Sequence, residues 1–161
     1  MRTRTAYALA LTLVAALLTG CPEDKEKALA AAKIAHDLGL NHLDQSLRQN
    51  LSEIERKQNT QKALENYLKA VRDDPDFAEA HNALGLIYLT SYRDFDKAGF
   101  HLTRATALKK DFSDAYNNLG LVYTEKGQYD KAIAMFKKPL GDMLYPSPQN
   151  VFVNIGLAYY K

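Results

Sequence analysis

Residues 82–89 read NALGLIYL, an apolar run at helical spacing with Gly85 at its centre. A glycine inside a helix costs about 1 kcal/mol relative to alanine. Its place in a buried helix therefore calls for a neighbour that comes too close for a side chain. The same core recurs in DLGLNHL (37–43), NLGLVYT (118–124) and NIGLAYY (154–160). Gly39, Gly85, Gly120 and Gly156 stand 46, 35 and 36 residues apart, and periods of that size mark stacked supersecondary units.

Aligning the glycines brings other positions into register. An aromatic or histidine follows after three residues (His42, Tyr88, Tyr123, Tyr159), and alanines follow at Ala63, Ala98 and Ala132. Four residues beyond each alanine stands a large side chain (Tyr67, Leu102, Phe136), and three further a small one (Ala70, Ala105). This pattern resembles the tetratricopeptide repeat, most closely in AYNNLGLVYTEKGQYDKAIAMF (115–136). The resemblance implies an all-α fold: a right-handed superhelical solenoid of antiparallel helix pairs spanning nearly all of the chain after its N-terminal segment. In such a unit Gly85 is expected to face Ala98, with the backbone of the second helix as its close neighbour. Leu84, Ile87 and Tyr88 would fill the same seam, so Gly85→Leu should damage the fold far beyond its effect on helix propensity.

Turn chemistry places the boundaries. DDPDF (73–77) and KKDFSD (109–114) close the first two units, and EKGQYD (125–130) is the turn inside the third. The first unit departs from the period, with twelve residues more than the standard turn between His42 and Ala63. Leu43, Leu47, Leu51 and Ile54 recur there at spacings of three and four, which predicts an overlong first helix running to about Lys57; a surface loop over 43–57 is the alternative. In the third unit Pro139 should stop or kink the second helix near Lys138. PLGDMLYPSPQNVFVNIGLAYY (139–160) then reads as an irregular crossing into the first helix of a fourth unit. That helix would lack a partner, as expected of a fragment of a longer chain or, alternatively, of an exposed docking surface.

The first residues have a different character. Arg2 and Arg4 precede an uncharged apolar stretch, Ala6 to Leu18, and LTGC ends at Cys21, the one cysteine of the chain. This is the layout of a secretory signal, and LTGC resembles the lipobox of bacterial lipoproteins, which implies lipid on Cys21 as the first mature residue. The alternative is an ordinary signal peptide followed by a stray cysteine, a liability in an oxidising compartment. The resulting organisation is a signal peptide over 1–20, a lipidated cysteine and polar tether over 21–31, and a repeat domain over 32–161 of three units plus the first helix of a fourth. Pro22 and Glu23 after the cysteine imply sorting to the outer membrane, facing the periplasm. Removing Arg2 and Arg4 from the 21 Lys and Arg of the chain leaves 19 bases against 19 acids. So balanced a mature chain argues against a nucleic-acid partner and leaves the lipid as the membrane contact.

No catalytic pattern is present. His36, His42, His81 and His101 fall on repeat positions without metal-ligand spacing, and no serine sits in a nucleophile elbow. The sequence thus predicts neither enzyme activity, nor a metal or cofactor, nor a small-molecule substrate. Stacked first helices line a groove suited to a peptide or helix. After each motif glycine comes a leucine (Leu40, Leu86, Leu121, Leu157), with Asn82 and Asn117 one turn before two of them. These six residues predict an apolar stripe flanked by amides for a protein partner; packing between repeats is the alternative role of the leucines. His36, Leu40 and Asn118 stand where carboxylate-clamping tetratricopeptide domains use lysine, arginine and asparagine, which argues against that mode.

A lipobox followed by such repeats and by LYPSPQNVFVNIGLAYY (144–160) resembles the type IV pilus biogenesis and stability lipoproteins, or pilotins. The resemblance implies a lipid-tethered adaptor that binds secretin subunits or another pilus assembly component and promotes secretin localisation and multimerisation. A generic tetratricopeptide scaffold lipoprotein for cell-envelope complexes is the alternative.

Overall fold

The computed structural model describes residues 22–47, 51–141 and 148–161. The expected signal peptide, the lipidation site Cys21 and the Tyr-Pro part of the crossing lie outside the described residues. Those residues form α1 (Pro22–Leu47), α2 (Glu53–Asp73), α3 (Ala78–Ile87), α4 (Phe95–Leu108), α5 (Ser113–Glu125), α6 (Tyr129–Phe136) and α7 (Pro148–Tyr160), with a π-turn over Tyr88–Tyr92 and a 3-10 turn over Pro139–Gly141. Helix packs on helix in sequence order: α1 with α2, α3 with α4 and α5 with α6 make the three units, and α2 with α3, α4 with α5 and α6 with α7 join one unit to the next. First helices also touch along the stack, α3 with α5 and α5 with α7.

Three of the four motif glycines hold the pairs together, but through a different neighbour from the one expected, and Gly156, expected to pack likewise, has no neighbour within 4 Å among the described residues. A Cβ on Gly85 would meet the Leu102 side chain, one on Gly39 the Tyr67 ring, and one on Gly120 the Phe136 ring. Each large landmark of a second helix thus sits in the notch of its own first helix. Ala63, Ala98 and Ala132 are fully buried in the same seams, where their small size lets the helices approach, yet the backbone that carries them is not what excludes a side chain at the glycine.

The first unit corrects a second expectation. Helix α1 ends at Leu47, and a new helix starts at Glu53 rather than the first one running to Lys57. Ser52 caps it: its hydroxyl accepts from the Glu55 N–H, and the Glu55 carboxylate accepts from the Ser52 N–H at 2.9 Å, a reciprocal capping box. The twelve extra residues lengthen both helices of the unit and form neither a single overlong helix nor a loop over 43–57. The segment expected as a polar tether is helical as well, since α1 already begins at Pro22.

Unit two carries a smaller insertion. Gly85 and Ala98 are 13 residues apart where Gly120 and Ala132 are 12. The additional residue is taken up by the π-turn, which closes with the Arg93 and Asp94 N–H groups both donating to the Tyr88 carbonyl and with Arg93 left-handed at φ 51°. In unit three Gly127 makes the corresponding turn at φ 69°, a conformation glycine adopts without a Cβ penalty. As expected, α6 stops at Phe136, just ahead of Pro139. No helix among the described residues is long and apolar enough to cross a membrane.

Candidate functional site

The stacking of first helices brings the six predicted groove residues onto successive members of one array, and two side-chain bonds fix its register. Asn118 Nδ2 donates to Asn82 Oδ1 at 3.1 Å, and Asn154 Nδ2 donates to Asn117 Oδ1 at 3.1 Å. The two predicted asparagines are therefore acceptors for the following unit, each still offering its own amide N–H groups. The sequence pattern marks Asn118 only as a position that disfavours a carboxylate clamp and does not single out Asn154. Their signal is the identical spacing of 36 residues from Asn82 to Asn118 and from Asn118 to Asn154. Between the first two units the ladder is absent, because Ala83 occupies the donor position and His36 the acceptor position.

The four leucines divide by burial. Leu40 and Leu157, at the two ends of the row, are 48% and 55% exposed. Leu86 is half-buried and lies outside both apolar clusters, whereas Leu121 packs against the main core and against the smaller cluster of Ala132, Ile133, Phe136, Val151 and Ala158. The row is a shallow apolar stripe with Leu121 as its structural member and Leu40, Leu86 and Leu157 offered to solvent. An open depression of 980 Å³ lies between the turn ends of units one and two and is lined by Ser46, Arg56, Thr60, Ser91 and Tyr92.

Charge pairs form both within and between units. Lys109 pairs with Glu79 at 3.0 Å inside unit two, whereas the pairs of Lys126 with Asp96 at 2.6 Å and Arg93 with Glu125 at 2.9 Å join unit three to unit two. All are largely exposed, so each contributes at most about 1 kcal/mol, and the last two help to set the register between neighbouring units.

The histidines are packing residues. His81 Nε2 donates to the Pro75 carbonyl at 3.1 Å, which leaves its Nδ1 as an acceptor for His101 Nδ1–H at 3.0 Å. Tyr88 stacks on the His101 ring at 5.7 Å. Burial lowers both pKa values, that of His101 to about 4 with the neighbouring His81 adding to the effect, so the pair is neutral near pH 7. His36 lies against the Tyr67 and Phe77 rings and is likewise depressed by burial. Among the described residues no group of three or more His, Cys, Asp or Glu side chains is placed to hold a metal ion.

This architecture, helix pairs nested through glycine notches, defines a helical-repeat scaffold. The chain belongs to the tetratricopeptide-repeat proteins: residues 56–91 match the family described as TPR repeat, and residues 113–138 the family described as Tetratricopeptide repeat. Among solved structures it is similar to MamA, with 30% identity over 84% of this chain and 73% of that one and a TM-score of 0.65. It is similar to Pseudomonas aeruginosa PilF with 27% identity over 83% of the chain and a TM-score of 0.67, spanning 55% of the PilF chain. The Arabidopsis OM64 TPR domain shares the fold at 20% identity and a TM-score of 0.67, covering 83% of this chain and 98% of that one. Among curated protein sequences none matches the chain.

Proposed function

We propose that the chain is a lipid-anchored adaptor of the bacterial outer membrane, facing the periplasm, whose groove binds secretin subunits and promotes their multimerisation for type IV pilus assembly. The observation that carries this reading is the similarity to PilF over most of the chain, which agrees with the pilotin-like motifs of the sequence and with the lipobox ending at Cys21. Lipid and groove divide the work. The anchor confines the adaptor to a surface and raises its effective concentration toward partners there, while the apolar stripe of Leu40, Leu86 and Leu157 selects a polypeptide by its side chains.

Two variants test the division. Cys21→Ala should leave the repeats folded and able to bind in extract, yet release them from the membrane and lower the yield of secretin multimers. Leu40→Asp with Leu86→Asp should abolish capture of secretin without displacing the protein from the membrane. Retained capture by the double variant would overturn the groove assignment.

A generic envelope scaffold is the second reading, favoured by the comparable similarity to MamA. Pull-down from an envelope extract separates the two, since secretin should dominate the captured material only under the first.

A further inference from the structure

The faces that the first helices turn away from the core share a composition. In α3 the residues that are not buried are Glu79, Asn82 and Leu86, an acid, an amide and a leucine at i, i+3 and i+7. Asp114, Asn117 and Leu121 repeat that order in α5, and Glu125, three turns and about 16 Å beyond Asp114, closes the same face with a second acid. In α1, Asp37 and Asp44 flank Leu40 at i−3 and i+4, all three exposed. No lysine or arginine stands in α3, α5 or α7, nor in α1 after Lys33. Bases of units two and three are on second helices and turns instead, such as Lys97, Arg104 and Lys131. A chain of nearly balanced charge thus has its charges sorted, with acids on both rims of the leucine row.

We propose that this groove receives a polypeptide segment whose apolar side chains are flanked by lysine or arginine, and that it rejects acidic segments. The inference rests on the groove assignment above and adds the charge of the occupant. Helices α3 and α5 are packed on both sides, the first between α2 and α4 and the second between α4 and α6, so units added to either end of the stack leave their remaining face open. Lys109 and Arg93 meet Glu79 and Glu125 from the flank, which leaves the carboxylates of Asp37 and Asp114 as the ones open to an incoming cation. A lysine of the occupant can lay its aliphatic stem along Leu40 or Leu86 and place its ammonium at the rim. A glutamate there would meet like charge with no base of the first helices to offset it. The asparagines carry no charge and serve either occupant equally, so the acids alone decide the sign.

The probes are two labelled sixteen-residue peptides with leucine at every third or fourth position, the intervening positions being lysine and alanine in one and glutamate and alanine in the other. Each is titrated into the full chain by fluorescence anisotropy. The lysine peptide should bind saturably and at least about tenfold more tightly than the glutamate peptide, or 1.4 kcal/mol, and added salt should narrow the difference. Asp37→Asn with Asp114→Asn should weaken the lysine peptide at least about threefold, as the loss of two exposed charge pairs implies. Glu65→Gln with Asp130→Asn, on α2 and α6, should leave it unchanged. Equal binding of the two peptides, no saturable binding of either, or lysine-peptide binding that is indifferent to the groove variant or equally sensitive to the control overturns the proposal. Secretin capture scored on the same preparations separates the two readings. Charge selectivity without capture would remove secretin as the partner and keep the basic occupant, whereas capture without charge selectivity would do the reverse.

Discussion

A Cβ placed on Gly85 would fall against Cγ of Leu102, at the branch point of that side chain rather than at its flexible end. Relief requires Leu102 to leave its rotamer or α4 to shift. Gly85→Ala is therefore expected to destabilise by about 1–3 kcal/mol through overpacking, although alanine is the better helix former by about 1 kcal/mol. Leu102→Ala alone should cost about 2–5 kcal/mol, because it empties a fully buried position. Together the two changes should cost less than their sum, with a coupling of about 0.5–3 kcal/mol in a urea-denaturation cycle. Strict additivity would show that the two residues do not share the notch.

Gly99, on α4 like Leu102 but facing α5, supplies the contrast. Its added Cβ would meet Val122 at 3.6 Å, an ordinary contact. Gly99→Ala should raise stability by up to about 1 kcal/mol, from helix propensity and a less flexible unfolded chain. A fall in the thermal midpoint would mean that α4 and α5 are closer than the structure places them.

The comparison of Gly85 with Gly99 shows where sequence reasoning reached and where it stopped. Spacing alone identified the motif glycines and the large residues at Tyr67, Leu102 and Phe136, but it paired Gly85 with Ala98, because periodicity orders positions along helices without giving the angle at which two helices cross. The same limit applies between units. Asn118 and Asn154 bond across the stack through a register that follows from packing, and Leu121 joins two apolar clusters although its motif is the same as that of Leu86. In the first unit Leu43, Leu47, Leu51 and Ile54 carry helical spacing past the start of a new helix, while Ser52 and Glu55 mark where α2 begins. The single extra residue before Ala98 was visible as a count, yet only the backbone shows it absorbed as a π-turn.

Ser52→Ala tests that helix start. Removing the hydroxyl that accepts from the Glu55 N–H should cost about 0.5–2 kcal/mol, with the loss concentrated at the start of α2. Amide exchange should accelerate in residues 53–56 and leave α5 and α6 unaffected. Uniform acceleration would instead place the cap within the global folding unit.

Acid should weaken the stack through the histidine pair between α3 and α4. His81 and His101 face one another in a setting formed by the Tyr88 ring, the Pro75 carbonyl and the charges of Asp74, Asp76 and Arg104. Burial depresses both, His101 from 6.5 to about 4. The folded state therefore binds fewer protons than the unfolded state across that interval, so stability is fully present above pH 6.5 and declines as pH falls toward 4. For His101 the loss is on the order of 3 kcal/mol at most, since one unit of pKa corresponds to about 1.4 kcal/mol. Replacing His101 by Gln keeps a donor for His81 Nδ1 and removes the titration. The unfolding free energy of His101→Gln should then vary less than that of the parent between pH 6.5 and 4.5, with the difference closing at neutral pH. Identical pH slopes for the two proteins in chemical denaturation would show that this pair does not carry the acid sensitivity.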